Sequence, residues 1–492
     1  MPALTLPGIN AVYCFKVRAR CFKIRDCHVG ACMRIFFSGI GGSGVSAIAS
    51  FMAAGGHEVS GSDRAFDLAP AHPVAALLEG SGIRIFPQDG SGIDGALDFA
   101  VMSTAVEAGT AEVVKAKALG VPLKTRPEYL AELSREFDTI AVTGTSGKST
   151  ASGLTAFLMR ELGLQPNFLG GGRVKAFKNG QRPGNFLAGG SRWLVMEACE
   201  SDGTLVNYRP RHLAILNLEL DHKGIEETAR MFEKIAANTS GLRIINADDA
   251  NLNGLQVIKQ KGAGQKGDAI QKFGMGPGAD FRAEDLALHP FGSEFTVRGV
   301  RFKLALPGAY NVYNALAAIA IVSGLGGPLE KIAAALPRFS GIERRFDIHL
   351  NARGKLVIDD FAHNPHKISS LMKAVGAIKE QKRVCYVFQP HGFGPVRMMK
   401  NEYIEAFAQN LRSGDLLILL PIFYQGGTVS MDISSGELAR AIAGRGKSAI
   451  AVSGRAEALR HAGSRDCVVI MGARDETLSL LAGEAARLLA VK

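Results

Sequence analysis

The run TGTSGKST, Thr143–Thr150, sets two glycines, a lysine and a serine where a phosphate chain could be gripped. Gly144 and Gly147 let the backbone come close to anionic oxygens, with N–H groups turned inward along Thr145 and Ser146. Lys148 can reach the outer phosphates, and the Ser149 hydroxyl, followed by Thr150, can ligate Mg²⁺. An apolar strand-like run precedes the loop and a helical one follows it, the context such a loop requires. It is shorter than the common G-x-x-x-x-G-K-[ST] form, yet it assigns the use of a nucleoside triphosphate.

A second glycine loop lies nearer the N-terminus, in RIFFSGIGGSGVSAIASFMAAGGHEVSGSD, Arg34–Asp63. Gly39, Gly41 and Gly44 fit G-x-G-x-x-G, with Gly42 between them and Ser62 and Asp63 at the end of the next strand-like run. Alone, this pattern suggests a nicotinamide dehydrogenase, with Asp63 as the ribose-binding acid. A dehydrogenase has no need of the TGTSGKST loop, however. The fingerprint specifies a helix N-terminus facing a diphosphate, and a sugar nucleotide meets that description equally well.

Two more strand-like runs end in groups that could hold a cation. VMEACESD carries Glu197 and Glu200, and LNLELDH ends in Asp221 and His222. Parallel sheets bring such ends beside the phosphate loop, where Glu197 and His222 could join Ser149 around Mg²⁺. No G-x-S-x-G nucleophile motif is present, and Cys199 lies between two acids that raise its pKa and suppress the thiolate. The inventory favours phosphoryl transfer by positioning and charge neutralisation.

Positioning these groups takes several domains, and 492 residues are too many for one hydrophobic core. Strand-like and helical runs alternate after residue 33, which predicts an α/β chain of parallel sheets covered by helices. We divide it into a leader at 1–33, a nucleotide-sugar unit at 34–136, a central unit at 137–340 and a third unit at 341–492. A hydrophobic content of 47% with 21% charged residues suits a soluble globular enzyme. No apolar run is long enough to cross a bilayer. The net charge of +11 is scattered and accompanied by no nucleic-acid-binding motif, so it fits anionic small molecules better than nucleic acid. The leader is basic and holds four of the seven cysteines at spacings that match no zinc pattern. It reads as a disordered extension, or as an upstream start ahead of Met33. The dispersed Cys199, Cys385 and Cys467 suit a reducing cytoplasm.

Taken together, GIGGSGVSAIA, RPEYLAEL, TGTSGKST, EACESDG, LNLELDH, NADD, LPGAYNVYNALAAIA, FSGIERRFD, VIDDFAHNP, VFQPH and IMGARDE resemble, in order, the Mur ligase family of ATP-dependent amide-bond-forming enzymes. The resemblance runs from Met33 to the C-terminus. It is nearest the branch that adds L-alanine to UDP-N-acetylmuramate in peptidoglycan precursor synthesis. It implies three domains: a Rossmann-like one for the UDP-sugar, a P-loop ATPase domain with a mostly parallel sheet, and a Rossmann-like C-terminal one that admits the amine. By the same resemblance Lys148, Glu197, His222 and Arg345 are catalytic, and Asn311, Asn314, Arg345 and Asp360 join the loop in binding ATP. His363 would line the substrate site together with Gly39, Gly41, Gly42, Gly44, Ser62 and Asp63. The cofactors implied are ATP and Mg²⁺. The partners are UDP-N-acetylmuramate and an amino acid or short peptide, in a cytoplasmic monomer or dimer that neither binds nucleic acid nor inserts in a membrane.

The sequence also departs from that branch. Ser146 and Ser149 stand where it usually has His and Thr. After FQPH its arginine-rich run is replaced by Gly392, Phe393, Gly394 and Pro395, with Arg397 following. YRPRHLAILNLELDH is similar to the branch that attaches a recycled tripeptide, whose AFFDKR-like run is absent. Lys234 is a weak candidate for the carbamylated lysine that some members use. Three readings follow: an alanine-adding ligase, a ligase for another amine such as a recycled peptide, and, remotely, a nicotinamide-binding protein that is no ligase.

Overall fold

The computed structural model describes residues 32–68, 72–179, 182–220, 223–256, 270–378, 383–424 and 430–491. The leader up to residue 31, together with Asp221 and His222, lies outside the described residues. The expectations for them therefore stay as stated.

The first unit opens with β1 (Arg34–Ser38), followed by β2 (Glu58–Ser62), β3 (Arg84–Phe86), β4 (Phe99–Met102) and β5 (Leu123–Thr125). They form one parallel sheet in the order β3-β2-β1-β4-β5. Strand order reverses beside β1, so its C-terminal end faces a crevice. The first glycine loop leaves β1 at that point and enters the helix Ser43–Ala54. Ile35, Phe36 and Phe37 are fully buried, as expected for a strand covered on both faces.

The central sheet has eight strands: β6 (Asp138–Thr143), β7 (Asn167–Leu169), β8 (Phe186–Leu187), β9 (Trp193–Glu197), β10 (His212–Ile215), β11 (Arg243–Asn246), β12 (Ile270–Gly274) and β13 (Phe281–Arg282). Its order is β13-β12-β11-β10-β6-β9-β7-β8, parallel except where β8 pairs with β7. The phosphate loop leaves β6 between β9 and β10, so the ends of both neighbours flank it. The helix Lys148–Glu161 that follows packs against the apolar helix Ala309–Gly324. A small antiparallel sheet, β14 (Glu284–His289), β15 (Gly292–Val297) and β16 (Val300–Leu304), is joined to this unit.

The third sheet contains β17 (Asp347–Ala352), β18 (Lys355–Asp360), β19 (Val384–Gln389), β20 (Leu416–Leu419), β21 (Ala449–Ala451) and β22 (Cys467–Gly472). The order is β17-β18-β22-β19-β20-β21, with only β17 antiparallel to its neighbour. β19 and β22 are buried along their whole length, and Cys385 and Cys467 are core residues within them. The expected α/β class, with mostly parallel sheets in three units, is the architecture observed. Among the described residues no helix is long and apolar enough to cross a membrane.

Candidate active site

Lys148 begins the helix after the phosphate loop, and its ammonium is turned back over that loop. Nζ donates to the Gly144 carbonyl at 2.6 Å and pairs with Glu200 Oε2 at 2.8 Å. Burial alone would lower its pKa, but the carboxylates of Glu200 and Glu197 outweigh that effect and hold the ammonium in its charged form. Ser149 Oγ donates to Glu197 Oε2 at 3.0 Å, and the same oxygen accepts the Gly171 N–H at 2.9 Å. Cys199 has a raised pKa as expected. Burial is the chief cause, with Glu200 adding to it and Lys148 opposing.

Asn217, in the run LNLELDH, braces the loop from the end of β10. Its Oδ1 accepts from Thr145 Oγ1 at 2.7 Å and from the Ser146 N–H at 2.8 Å, and its Nδ2 donates to the Ser146 carbonyl at 3.0 Å. Gly147 has φ +85°, and a Cβ there would come within 2.2 Å of Asn314 Oδ1. Gly147→Ala is therefore expected to weaken nucleotide binding at least about tenfold, through backbone strain and displacement of Asn314. Isothermal titration with ATP checks this, and unchanged affinity would remove the proposed loop shape.

The loop opens on a cavity of about 470 Å³ shared by the central and third units. Thr145 to Thr150, Glu197, Asn311 and Asn314 line it from one side, and Arg345 and Asp360 from the other. Asn311 Nδ2 also closes the turn into its helix through the Pro307 carbonyl at 2.8 Å. Asp360 is fixed by the N–H groups of Phe346 at 2.7 Å and Ala362 at 2.8 Å, and burial raises its pKa despite Arg345 nearby. The guanidinium of Arg345 stacks on Phe361, 4.8 Å from the ring centroid. Tyr310, Tyr313 and Asp248 also line the cavity, with Tyr313 donating to Asp248 at 2.9 Å. Sequence reasoning passed over these three and Asn217, because only the fold brings them to the loop. Glu200 was visible beside Glu197, but nothing in the run marked it as the partner of Lys148.

His363 does not line this cavity. Its ring packs against Phe361 and His391, at 5.6 and 5.4 Å between centroids, and burial pushes its pKa down to about 3. Among the described residues it meets Phe361, His391 and Tyr403, all in the third unit, so the expected grouping with the first glycine loop is not seen. His366, three residues on, lines the cavity instead. Lys234 is exposed on the helix Ile225–Ala237 and is not among the lining residues.

At the first glycine loop, the Gly39 and Ile40 N–H groups donate to the Ser62 carbonyl. Asp63 accepts from Gly41 at 2.8 Å and from Ala65 at 2.9 Å, so its carboxylate braces the loop and the following turn. The Ser62 hydroxyl points beneath the loop, to Glu112, which also accepts from Ser38. Gly42 and Gly44 flank the start of the Ser43–Ala54 helix, whose N-terminus has no side-chain cap.

Ser149 and Glu197 offer hard oxygens of the kind Mg²⁺ takes, and phosphate oxygens would complete its shell. The donor set therefore fits that ion. Among the described residues no three His, Cys, Asp or Glu side chains converge as a metal cluster.

Comparison with known proteins agrees with this layout. Residues 34–138 match the family model "Mur ligase family, catalytic domain", 142–322 the "Mur ligase middle domain", and 344–474 the "Mur ligase, glutamate ligase domain". The UDP-N-acetylmuramate–L-alanine ligases of Xanthomonas euvesicatoria and Stenotrophomonas maltophilia are each 34% identical to this chain. Each alignment covers 91% of this chain and 94% of the relative. Among solved structures, a UDP-N-acetylmuramate-alanine ligase from Thermotoga maritima superposes with a TM-score of 0.76 at 27% identity. It covers 94% of this chain and 100% of its own. A murein peptide ligase from Psychrobacter arcticus shares the fold, with a TM-score of 0.65 at 22% identity over 93% and 98% of the two chains. With its phosphate loop, its cavity between units and these relatives along nearly its whole length, the chain belongs to the Mur ligase family of ATP-dependent ligases.

Proposed function

We propose that this protein joins L-alanine to the lactyl carboxylate of UDP-N-acetylmuramate, using ATP, in the cytoplasmic phase of peptidoglycan precursor synthesis. The observation that carries the reading is the shared cavity, where Lys148 and Ser149 of the central unit face Arg345 and Asp360 of the third. In this reading the nucleotide-sugar unit spans 34–136, the ATP-binding unit 137–340 and the ligase unit 341–492.

The reaction follows from that geometry. A carboxylate oxygen of the acceptor attacks the γ-phosphorus of ATP, and the bond to the bridging oxygen breaks to release ADP. Lys148 and Arg345 approach the transferring group from opposite walls and offset the charge spreading over its oxygens. Mg²⁺, held by Ser149, Glu197 and, by resemblance, His222, would supply further charge neutralisation at the phosphates. The amine then attacks the acyl phosphate. The tetrahedral adduct loses a proton and inorganic phosphate to leave the amide. Because the charged groups come from two units, closure of the third over the second gates the chemistry.

A second reading keeps the chemistry and changes the amine. After His391 the chain offers Gly392 to Pro395, and Arg397 is engaged by Asp432 and by the Ser430 carbonyl. Phosphate release with UDP-N-acetylmuramate and a panel of amines decides between them. Turnover with L-alanine supports the first reading, and turnover only with a peptide or another amine supports the second. The absence of ATP-dependent phosphate release with any of them would sink both.

A further inference from the structure

We infer that Arg126 is an anion-binding residue of the nucleotide-sugar site, held against the first glycine loop by the central unit; the inference rests on the ligase reading above. Arg126 is the first residue of the helix Arg126–Glu136, which starts in a capping box between Thr125 and Glu128. The box fixes the backbone from which the side chain extends. Its guanidinium lies over Gly44, with Nη1 only 3.1 Å from where a Cβ at that glycine would stand. The third glycine of the fingerprint thus makes room for an arginine.

Nη2 donates to Asp202 Oδ2 at 2.8 Å, with both side chains mostly buried. Asp202 is itself fixed, because its other oxygen accepts from the Thr204 N–H at 3.0 Å and from Thr204 Oγ1 at 2.6 Å. Among the described residues Nη1 has no protein acceptor. It stands at the positive end of the Ser43–Ala54 helix, which carries no side-chain cap. A guanidinium beside an uncapped helix N-terminus brings like charges together, and Asp202 engages one arm only. A nucleoside diphosphate group is the chemistry that resolves this, accepting from the helix N–H groups and the free arm at once.

A second central-unit residue meets the same helix end. Asn185, 1% exposed, donates through Nδ2 to the Ser43 carbonyl at 2.7 Å and to Ser46 Oγ at 3.0 Å. Among the described residues its Oδ1 is buried with no protein donor. The central unit therefore takes part in both substrate sites. Within one short run Glu197 meets Ser149, Glu200 pairs with Lys148, and Asp202 positions Arg126.

The test is calorimetric titration of the full chain with UDP and, separately, with ATP. Arg126→Ala is expected to weaken UDP binding about 10- to 100-fold and to leave ATP binding unchanged. Arg126→Lys should recover part of the loss. Arg126→Gln, which keeps a hydrogen bond to Asp202, serves if the alanine variant does not fold, and it too should lose UDP affinity. Unchanged UDP binding, or equal loss of both nucleotides, overturns the assignment. Failure of the unaltered protein to bind UDP would instead overturn the ligase reading beneath it.

Discussion

Lys148→Ala is expected to abolish ATP-dependent phosphate release, lowering turnover by about a thousandfold or more. That corresponds to roughly 4 kcal/mol of transition-state stabilisation, a reasonable share for a buried cation acting where water is excluded. The lysine is poised for this role. It is held by the Gly144 carbonyl and by Glu200, and the surrounding carboxylates keep it charged despite burial. The variant will also lose stability, because the Glu200 side chain, 4% exposed, is left as a buried charge without its partner. Breaking a buried pair from one side costs about 3–5 kcal/mol. Lys148→Ala combined with Glu200→Gln should recover much of the melting temperature and none of the activity. Thermal denaturation beside a phosphate-release assay separates the two effects. Near-normal turnover in the folded double variant would refute the role given to the loop.

The sequence carried the glycine loops because their chemistry is local. A strand, a turn needing glycine and a helix N-terminus all fall within a few consecutive residues, so TGTSGKST and GIGGSG announced themselves. The buried strands RIFFS and CVVIMG were legible for the same reason, as short apolar runs between polar turns. What stayed hidden depends on contacts between distant parts of the chain. Asn217 braces a loop some seventy residues earlier, and Arg126 meets an aspartate seventy-six residues later. Both lie in runs that carry the family resemblance, LNLELDH and RPEYLAEL, yet nothing short of the fold says which residues they meet. Asp63 marks the opposite case. Its spacing is that of a ribose acid, and what the fold adds is that its carboxylate also accepts from the backbone N–H groups of Gly41 and Ala65. Spacing along the chain locates a residue without stating which of its neighbours it serves. His363 illustrates the same limit: its loop reaches the cavity, but His366 is the histidine that faces it.

The pair Arg344 and Arg345 offers the sharpest separation of scaffold from chemistry, since the two residues are adjacent and of one type. Arg344 is buried, 4% exposed, with φ +59°. It donates to the carbonyls of Gly472 at 2.6 Å and Asp475 at 3.1 Å, and pairs with the fully buried Asp359. Arg345 instead faces the cavity, stacked on Phe361 and close to Asp360. Arg344→Ala should therefore destabilise the third unit by about 3–5 kcal/mol, because Asp359 loses its cation and two buried carbonyls lose their donors. Arg345→Ala should leave the denaturation midpoint nearly unchanged and lower kcat by about 10²- to 10³-fold, the usual cost of removing one donor from a developing anion. Arg345→Lys should recover little, since an ammonium cannot reproduce a planar fork stacked on a ring. Urea denaturation and single-turnover phosphate release, run on all three variants, give the two readouts independently. If Arg345→Ala turned over normally, the guanidinium would have no part in phosphoryl transfer, and charge neutralisation would rest on Lys148 of the central unit.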